Sequence, residues 1–168
     1  MSACEQNIRR FLRRQIGDWA GLNADCGKRE VLSAFSFAAG EGVAHYGAKN
    51  LEFRFHALPA EGFAEPVFFY FIREQLKLIA AEFWSFYRTE CLRVQQQLGE
   101  PACRLDFMWQ ERVIPAAELL YPDRGIAIGL IPESGLFASV RVFPPCSIGE
   151  YQENYWNTKP AREFAHPK

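Results

Sequence analysis

Between Pro66 and Gly99 the chain reads PVFFYFIREQLKLIAAEFWSFYRTECLRVQQQLG, and no other segment restricts the fold as tightly. Apolar side chains recur at Phe68, Ile72, Leu76, Ile79, Phe83, Phe86 and Tyr87, which is the three- and four-residue spacing of one helical stripe. Pro66 suits a first helical position. Gly99 followed by Pro101 is a stop, since glycine accepts the left-handed cap conformation and proline cannot continue the ladder. A helix over the whole run would be roughly 50 Å long at about 1.5 Å per residue, against a radius of gyration of about 15 Å for a compact domain of this size. Three readings follow: the helix overhangs and a partner covers its end, it kinks, or Val67–Ile72 is a strand. Val, Phe, Tyr and Ile are good strand formers. Helix is favoured because no Gly, Pro, Asn or Asp separates Ile72 from Arg73-Glu74-Gln75, and a strand-to-helix junction needs a short loop.

A chain of 168 residues, 49% hydrophobic and 23% charged, can bury a real core, so a single domain over 1–168 is expected, with 157–168 as a surface tail. The formal net charge of −1 argues against nucleic acid or an acidic membrane as main partner, since such binding needs many unopposed Lys and Arg. The start, MSACEQNIRRFLRR, carries charges where a signal peptide needs an apolar core, and no run approaches the roughly 20 apolar residues of a membrane span. A cytoplasmic protein is expected. The cysteines at 4, 26, 91, 103 and 146 are odd in number and widely spaced, a pattern that fits reduced thiols better than a disulfide framework or a zinc site.

Elsewhere the periodicity predicts a first helix from about Ala3 to Gly17, with Ser2 and Glu5 at capping-box spacing. Its apolar face is Ile8, Phe11, Leu12 and Ile16; Arg9, Arg10, Arg13 and Arg14 crowd the other side, as a solvated face or a docking surface for an acidic partner. Gly17 to Arg29 reads as a connector and Val31–Ala38 as a strand. Gly40–Gly42 reads as a turn and Val43–Tyr46 as a returning strand. Leu51, Phe53 and Phe55 alternate with Glu52, Arg54 and His56, and Cys103, Leu105, Phe107 and Trp109 with Arg104, Asp106, Met108 and Gln110, both the period-two signature of half-buried strands. A loop over Pro115–Pro122 leads to Gly125–Ile131, which Pro132-Glu133-Ser134-Gly135 turns into Leu136–Phe143 as an antiparallel hairpin. Ser147 and Glu150 repeat the capping-box spacing before a short last helix. The expected class is α+β: an antiparallel sheet of about five to six strands against one long central helix, flanked by an N-terminal and a short C-terminal helix. The sheet's other face would carry Glu52, Arg54, His56, Arg104, Asp106 and Arg141. This element order is similar to that of the small dimeric α+β chaperones of secretion effectors, a likeness that brings no residue or activity with it.

No catalytic motif stands out. Of the three histidines, His45 and His56 could meet across a hairpin centred on Gly47–Asn50 and are the candidate catalytic pair, with Arg54 or Glu52 orienting; His166 lies in the tail. No spacing of His, Cys or carboxylates indicates a metal, and none indicates a cofactor. The segment AAGEG, Ala38 to Gly42, has the G-x-G of a phosphate loop without its third glycine or following Lys, and a turn explains it more simply. The aromatic run has the strongest functional pull, since Phe68, Phe69, Tyr70, Phe71, Phe83, Trp84, Phe86 and Tyr87 exceed what one helix face can bury. The first expectation is therefore a non-catalytic binding or assembly domain, a homodimer or adaptor using that helix. The alternative is a binding domain or small enzyme for an aromatic or lipid-like molecule, held by Tyr70, Trp84, Trp109 and Arg54 between helix and sheet.

Overall fold

A computed structural model of the chain describes residues 1–17, 19, 21–23, 25–46, 49–56, 67–82, 87–109 and 114–156, with the backbone alone for 38–46, 49–56, 82, 108, 109 and 114. Among them, eight strands form one antiparallel sheet: β1 (Phe37–Tyr46), β2 (Lys49–His56), β3 (Phe68–Ile72), β4 (Gln75–Glu82), β5 (Cys103–Trp109), β6 (Ile114–Tyr121), β7 (Ile126–Ile131) and β8 (Leu136–Val142). The spatial order β1-β2-β3-β4-β8-β7-β6-β5 describes two four-stranded meanders joined where Ile79 of β4 pairs with Val142 of β8. Helix α3 (Arg88–Leu98) carries the chain from the sheet's centre to its far edge, where β5 begins the second meander.

Helices cover both faces. On one, α1 (Ala3–Leu12), α2 (Lys28–Ala34) and α3 bring Ile8, Phe11, Val31, Cys91 and Val94 onto Phe69, Phe71, Ile79, Ile128 and Val140. On the other, Tyr151 and Tyr155 of and just after α4 (Ile148–Asn154) lie on Tyr70, Leu78, Leu120 and Phe143, with the Phe143 ring 4.8 Å from Tyr151 and 5.2 Å from Tyr155. Each such side chain contributes about 1.5–3 kcal/mol of burial, before the entropy of ordering it.

This arrangement overturns the long helix. Pro66–Gly99 is not one element: β3 and β4 occupy its first part and, of its described residues, only Arg88–Leu98 are helical. Successive residues of β3 point to alternate faces, Phe69 and Phe71 to one core and Tyr70 to the other, and because both faces are covered the run shows no polar alternation. The junction lacks the usual turn residues because Arg73 takes the left-handed conformation itself, at φ 55°, in the two-residue turn that pairs Ile72 with Gln75. The connector supports that turn, with the Lys28 N–H donating to the Glu74 carbonyl at 2.7 Å and the Leu76 N–H to the Cys26 carbonyl at 2.9 Å.

Other expectations change for related reasons. The first helix stops at Leu12 rather than Gly17, and the first half of Val31–Ala38 belongs to α2, with β1 starting at Phe37. Gly40–Gly42 lies inside β1, where the pairing slips between Phe37 and Glu41, so neither a turn nor a phosphate loop forms there. Pro115–Pro122 is not a loop: β6 runs from Ile114, and Pro115 is tolerated because β6 pairs with β7 only from Ala117 onward. Among the described residues the sheet has eight strands, where about five to six were expected. Cys4 and Cys26 are joined by a buried disulfide that ties α1 to the connector across a separation of 22 residues, whereas Cys91, Cys103 and Cys146 are free. The β2 and β5 strands, the hairpin of β7 and β8, and the Ser147–Glu150 capping box occur as the patterning indicates. At the N-terminus only half of a box forms, since the Ser2 hydroxyl accepts from the Glu5 N–H while the Glu5 carboxylate turns to Arg9 at 2.7 Å. Among the described residues no helix is long and apolar enough to cross a membrane.

Candidate anion-binding cleft

The end of α1 places three arginines. The Arg14 N–H donates to the Phe11 carbonyl at 2.8 Å and the Gln15 N–H to the Arg10 carbonyl at 2.9 Å, the paired bonds of a Schellman stop. Glycine usually occupies the left-handed position of that motif; here it is Arg14, at φ 61°, a conformation costing about 1–2 kcal/mol for a residue with a Cβ. The chain then turns inward, with Ile16 and Trp19 buried in the helical-side core. Arg9 is drawn away from the group by Glu5 and by the Phe35 ring, whose centroid is 5.1 Å from its guanidinium.

Helix α3 forms the opposite wall. Its Cys91, Val94 and Leu98 face the core, and the adjoining stripe at three- and four-residue spacing is Glu90, Arg93 and Gln97. Between the two walls lies a cleft of about 450 Å³ lined by Arg10, Arg13, Arg14, Arg93, Glu90, Gln15, Gln97, Ile16, Gly17 and Val94. Among the described residues its lining holds four guanidiniums and one carboxylate, in a chain whose formal net charge is −1. Glu90 stands 3.7 Å from Arg14, too far for a strong directional bond. With both side chains half-buried the pair contributes at most about 1 kcal/mol.

Arg124 fixes the walls from behind. It lies in the 3₁₀ turn Pro122–Arg124, and donates from Nη2 to the Gly17 carbonyl at 2.8 Å and from Nε to the Trp19 carbonyl at 2.9 Å. Its Nη1 reaches the Gln97 and Leu98 carbonyls at 3.4 and 3.5 Å, at the C-terminal end of α3 where a positive charge is favoured. A Cβ at Gly17 would lie 1.9 Å from the Gln97 side-chain oxygen, so a larger residue there would have to push the exposed end of Gln97 aside. One residue thus holds the connector and α3 in register.

A second charged group is internal. Glu118 of β6 accepts from Arg141 of β8 at 2.9 Å and from the Tyr151 hydroxyl of α4, and all three side chains are buried. Arg141 therefore belongs to the interior under α4, not to an open sheet face. The thiols do not read as nucleophiles: burial pushes Cys91 upward, and burial followed by the Glu150 charge pushes Cys146 to about 11. Among the described residues no cluster of three or more His, Cys, Asp or Glu could hold a metal ion.

The residues singled out from the sequence do not converge. His45 stands opposite Asn50 and His56 opposite Phe37, so six residues of β2, roughly 20 Å at about 3.3 Å each, separate their backbone positions along the hairpin. Tyr70 sits on β3 in the core under α4, packed beside Phe68, while Trp109 ends β5 on the far edge, five strand positions away or about 24 Å at about 4.8 Å each. Arg54 stands in register with Phe69, and Tyr70 with Phe53. Trp84 and His166 lie outside the described residues, as do Phe83 and Phe86. Of the cleft, the sequence marks Arg10, Arg13 and Arg14 through their crowding; the polar stripe Glu90, Arg93, Gln97 was a usable signal once α3 is separated from the strands before it. Arg124 has no local signature. Comparison with protein-family models, with curated proteins and with solved structures finds no match to the chain.

Proposed function

We propose that this chain is a non-catalytic binding domain that takes an anionic partner in the cleft between the end of α1 and α3. The observation that supports it is the convergence of four arginines on one concavity of an otherwise charge-balanced protein. Concave sites lined by one sign of charge concentrate counter-ions and speed their capture. Among the described residues the lining is made of arginines, two glutamines and the Glu90 carboxylate, which stands 3.7 Å from Arg14, a set suited to binding an anion. Arg14 in a left-handed position points the same way, since backbone strain is retained where a side chain is needed at that place.

This moves the interaction surface from the aromatic run, of which Phe69, Tyr70 and Phe71 are buried in the sheet while Tyr87 stands exposed before α3, to the arginines of α1 and α3. Isothermal titration with tripolyphosphate and polyglutamate at low salt tests it, using Arg13→Glu/Arg93→Glu as the control. Both side chains are exposed, so the variant should fold. Micromolar binding that weakens with salt and disappears in the variant is expected. The proposal fails if neither polyanion binds, or if the variant binds equally well.

A further inference from the structure

We infer that the group seated in this cleft is a phosphoryl group, on a small molecule or a lipid headgroup, rather than a run of carboxylates on an acidic peptide; this rests on the anion-binding reading above. Three features of the site select it. Arg10, Arg13 and Arg14 approach from the end of α1 and Arg93 from α3, so the donors surround a volume instead of lining a track. A carboxylate is planar, and one guanidinium fork satisfies its two oxygens; a tetrahedral phosphoryl group offers three oxygens in different directions and suits forks arriving from opposite walls.

The row of arginines on α1 is also interrupted. Arg9 is held by Glu5 at 2.7 Å, so no continuous basic strip runs along the helix for an extended acidic peptide to follow. Finally, the cleft is about 450 Å³, within the roughly 300–1,000 Å³ range of small-molecule sites. That leaves room beside the phosphoryl group for a polar body. Gln15 and Gln97 supply neutral donors and acceptors for it, and Glu90, freed from its long contact with Arg14, can accept from a hydroxyl or amine of the ligand.

The test compares phosphoryl with carboxylate anions near neutral pH, where pyrophosphate and citrate each carry about three negative charges and hexaglutamate about six, so that charge alone would favour the peptide. Titrations of the full chain with pyrophosphate, citrate and hexaglutamate are run at low salt, alongside flotation with phosphatidylcholine vesicles with and without phosphatidic acid. Pyrophosphate is expected to bind at least about tenfold more tightly than citrate or hexaglutamate. Arg13→Gln/Arg93→Gln should lose about a hundredfold, near tenfold for each charge-assisted bond removed. Flotation with phosphatidic acid that pyrophosphate competes away identifies a lipid headgroup as the source; tight pyrophosphate binding without flotation identifies a soluble phosphate. Equal affinity for citrate, hexaglutamate and pyrophosphate overturns the phosphoryl preference while leaving anion binding standing. Binding of none of them overturns both, and pyrophosphate binding unchanged in the double variant removes the site.

Discussion

Replacing Arg124 tests how the fold holds the cleft. Its two short bonds, 2.8 Å to the Gly17 carbonyl and 2.9 Å to the Trp19 carbonyl, are charge-assisted, and for a half-buried donor each contributes about 1.5 kcal/mol net. The contacts at 3.4 and 3.5 Å to the Gln97 and Leu98 carbonyls are too long to count as full bonds, but a positive charge at the end of α3 adds about 0.5 kcal/mol. Arg124→Met keeps much of the stem and removes all of these, so a loss of about 3–4 kcal/mol is expected. At roughly 2–4 °C per kcal/mol for a chain of this length, the midpoint should fall by about 10 °C. Arg124→Lys keeps the charge but not the fork, and should lose about half as much. Urea unfolding followed by circular dichroism, with the slope checked for constancy, measures both. Gly17 and Gln97 line the cleft, so Arg124→Met should also weaken pyrophosphate binding although Arg124 is not a lining residue. A loss below about 0.5 kcal/mol in Arg124→Met, or equal losses in the two variants, would refute the clamp.

The buried group under α4 makes a second test. Glu118→Gln preserves shape but leaves Arg141 buried without its carboxylate partner, which should cost about 3–5 kcal/mol, whereas Glu118→Leu/Arg141→Met/Tyr151→Phe, which also removes the hydroxyl that donates to Glu118, should recover most of that loss; urea titrations showing no recovery would mean that the group acts through something other than charge. High pH gives a third. Burial, then the charges of Cys146 and Glu150, pushes Tyr155 from 10.0 to about 12; burial and Glu118 hold Tyr151 well above 10.0. The unfolded chain releases these protons first, so their contribution is intact below pH 10 and declines between pH 10 and 12 by up to about 1.4 kcal/mol per pH unit per group. Tyr155→Phe should flatten that decline, and a stability at pH 11 equal to that at pH 8 would count against it.

Where apolar and polar residues alternate along a segment, the sequence carries its structure. The alternation at Leu51–Phe55 and Cys103–Trp109 locates β2 and β5, and Ser147 with Glu150 locates the start of α4, because each depends on neighbours a few residues away. Likewise Arg10, Arg13 and Arg14 announce a basic surface without any fold. The local pattern misleads wherever a strand is covered on both sides. Phe68–Ile72 buries Phe69 and Phe71 in one core and Tyr70 in the other, so it reads as an unbroken apolar run, and Arg73 makes the turn into β4 without a glycine. Which helices cover which face is a long-range matter, and the helix-or-strand question could not be answered without it.

Composition and short-range spacing by themselves determined an α+β chain with an antiparallel sheet, capped helices and a cluster of arginines near its start. Tertiary structure alone decided the rest: the joining of the two meanders at β4 and β8, the pairing of Cys4 with Cys26, the burial of Glu118 with Arg141, and the meeting of Arg93 with the end of α1. The physical reason is range. Hydrogen-bonded caps and pleats act over a few residues, whereas a cleft, a buried ion pair or a clamp such as Arg124, 107 residues from Gly17, exists only after packing has brought distant segments together.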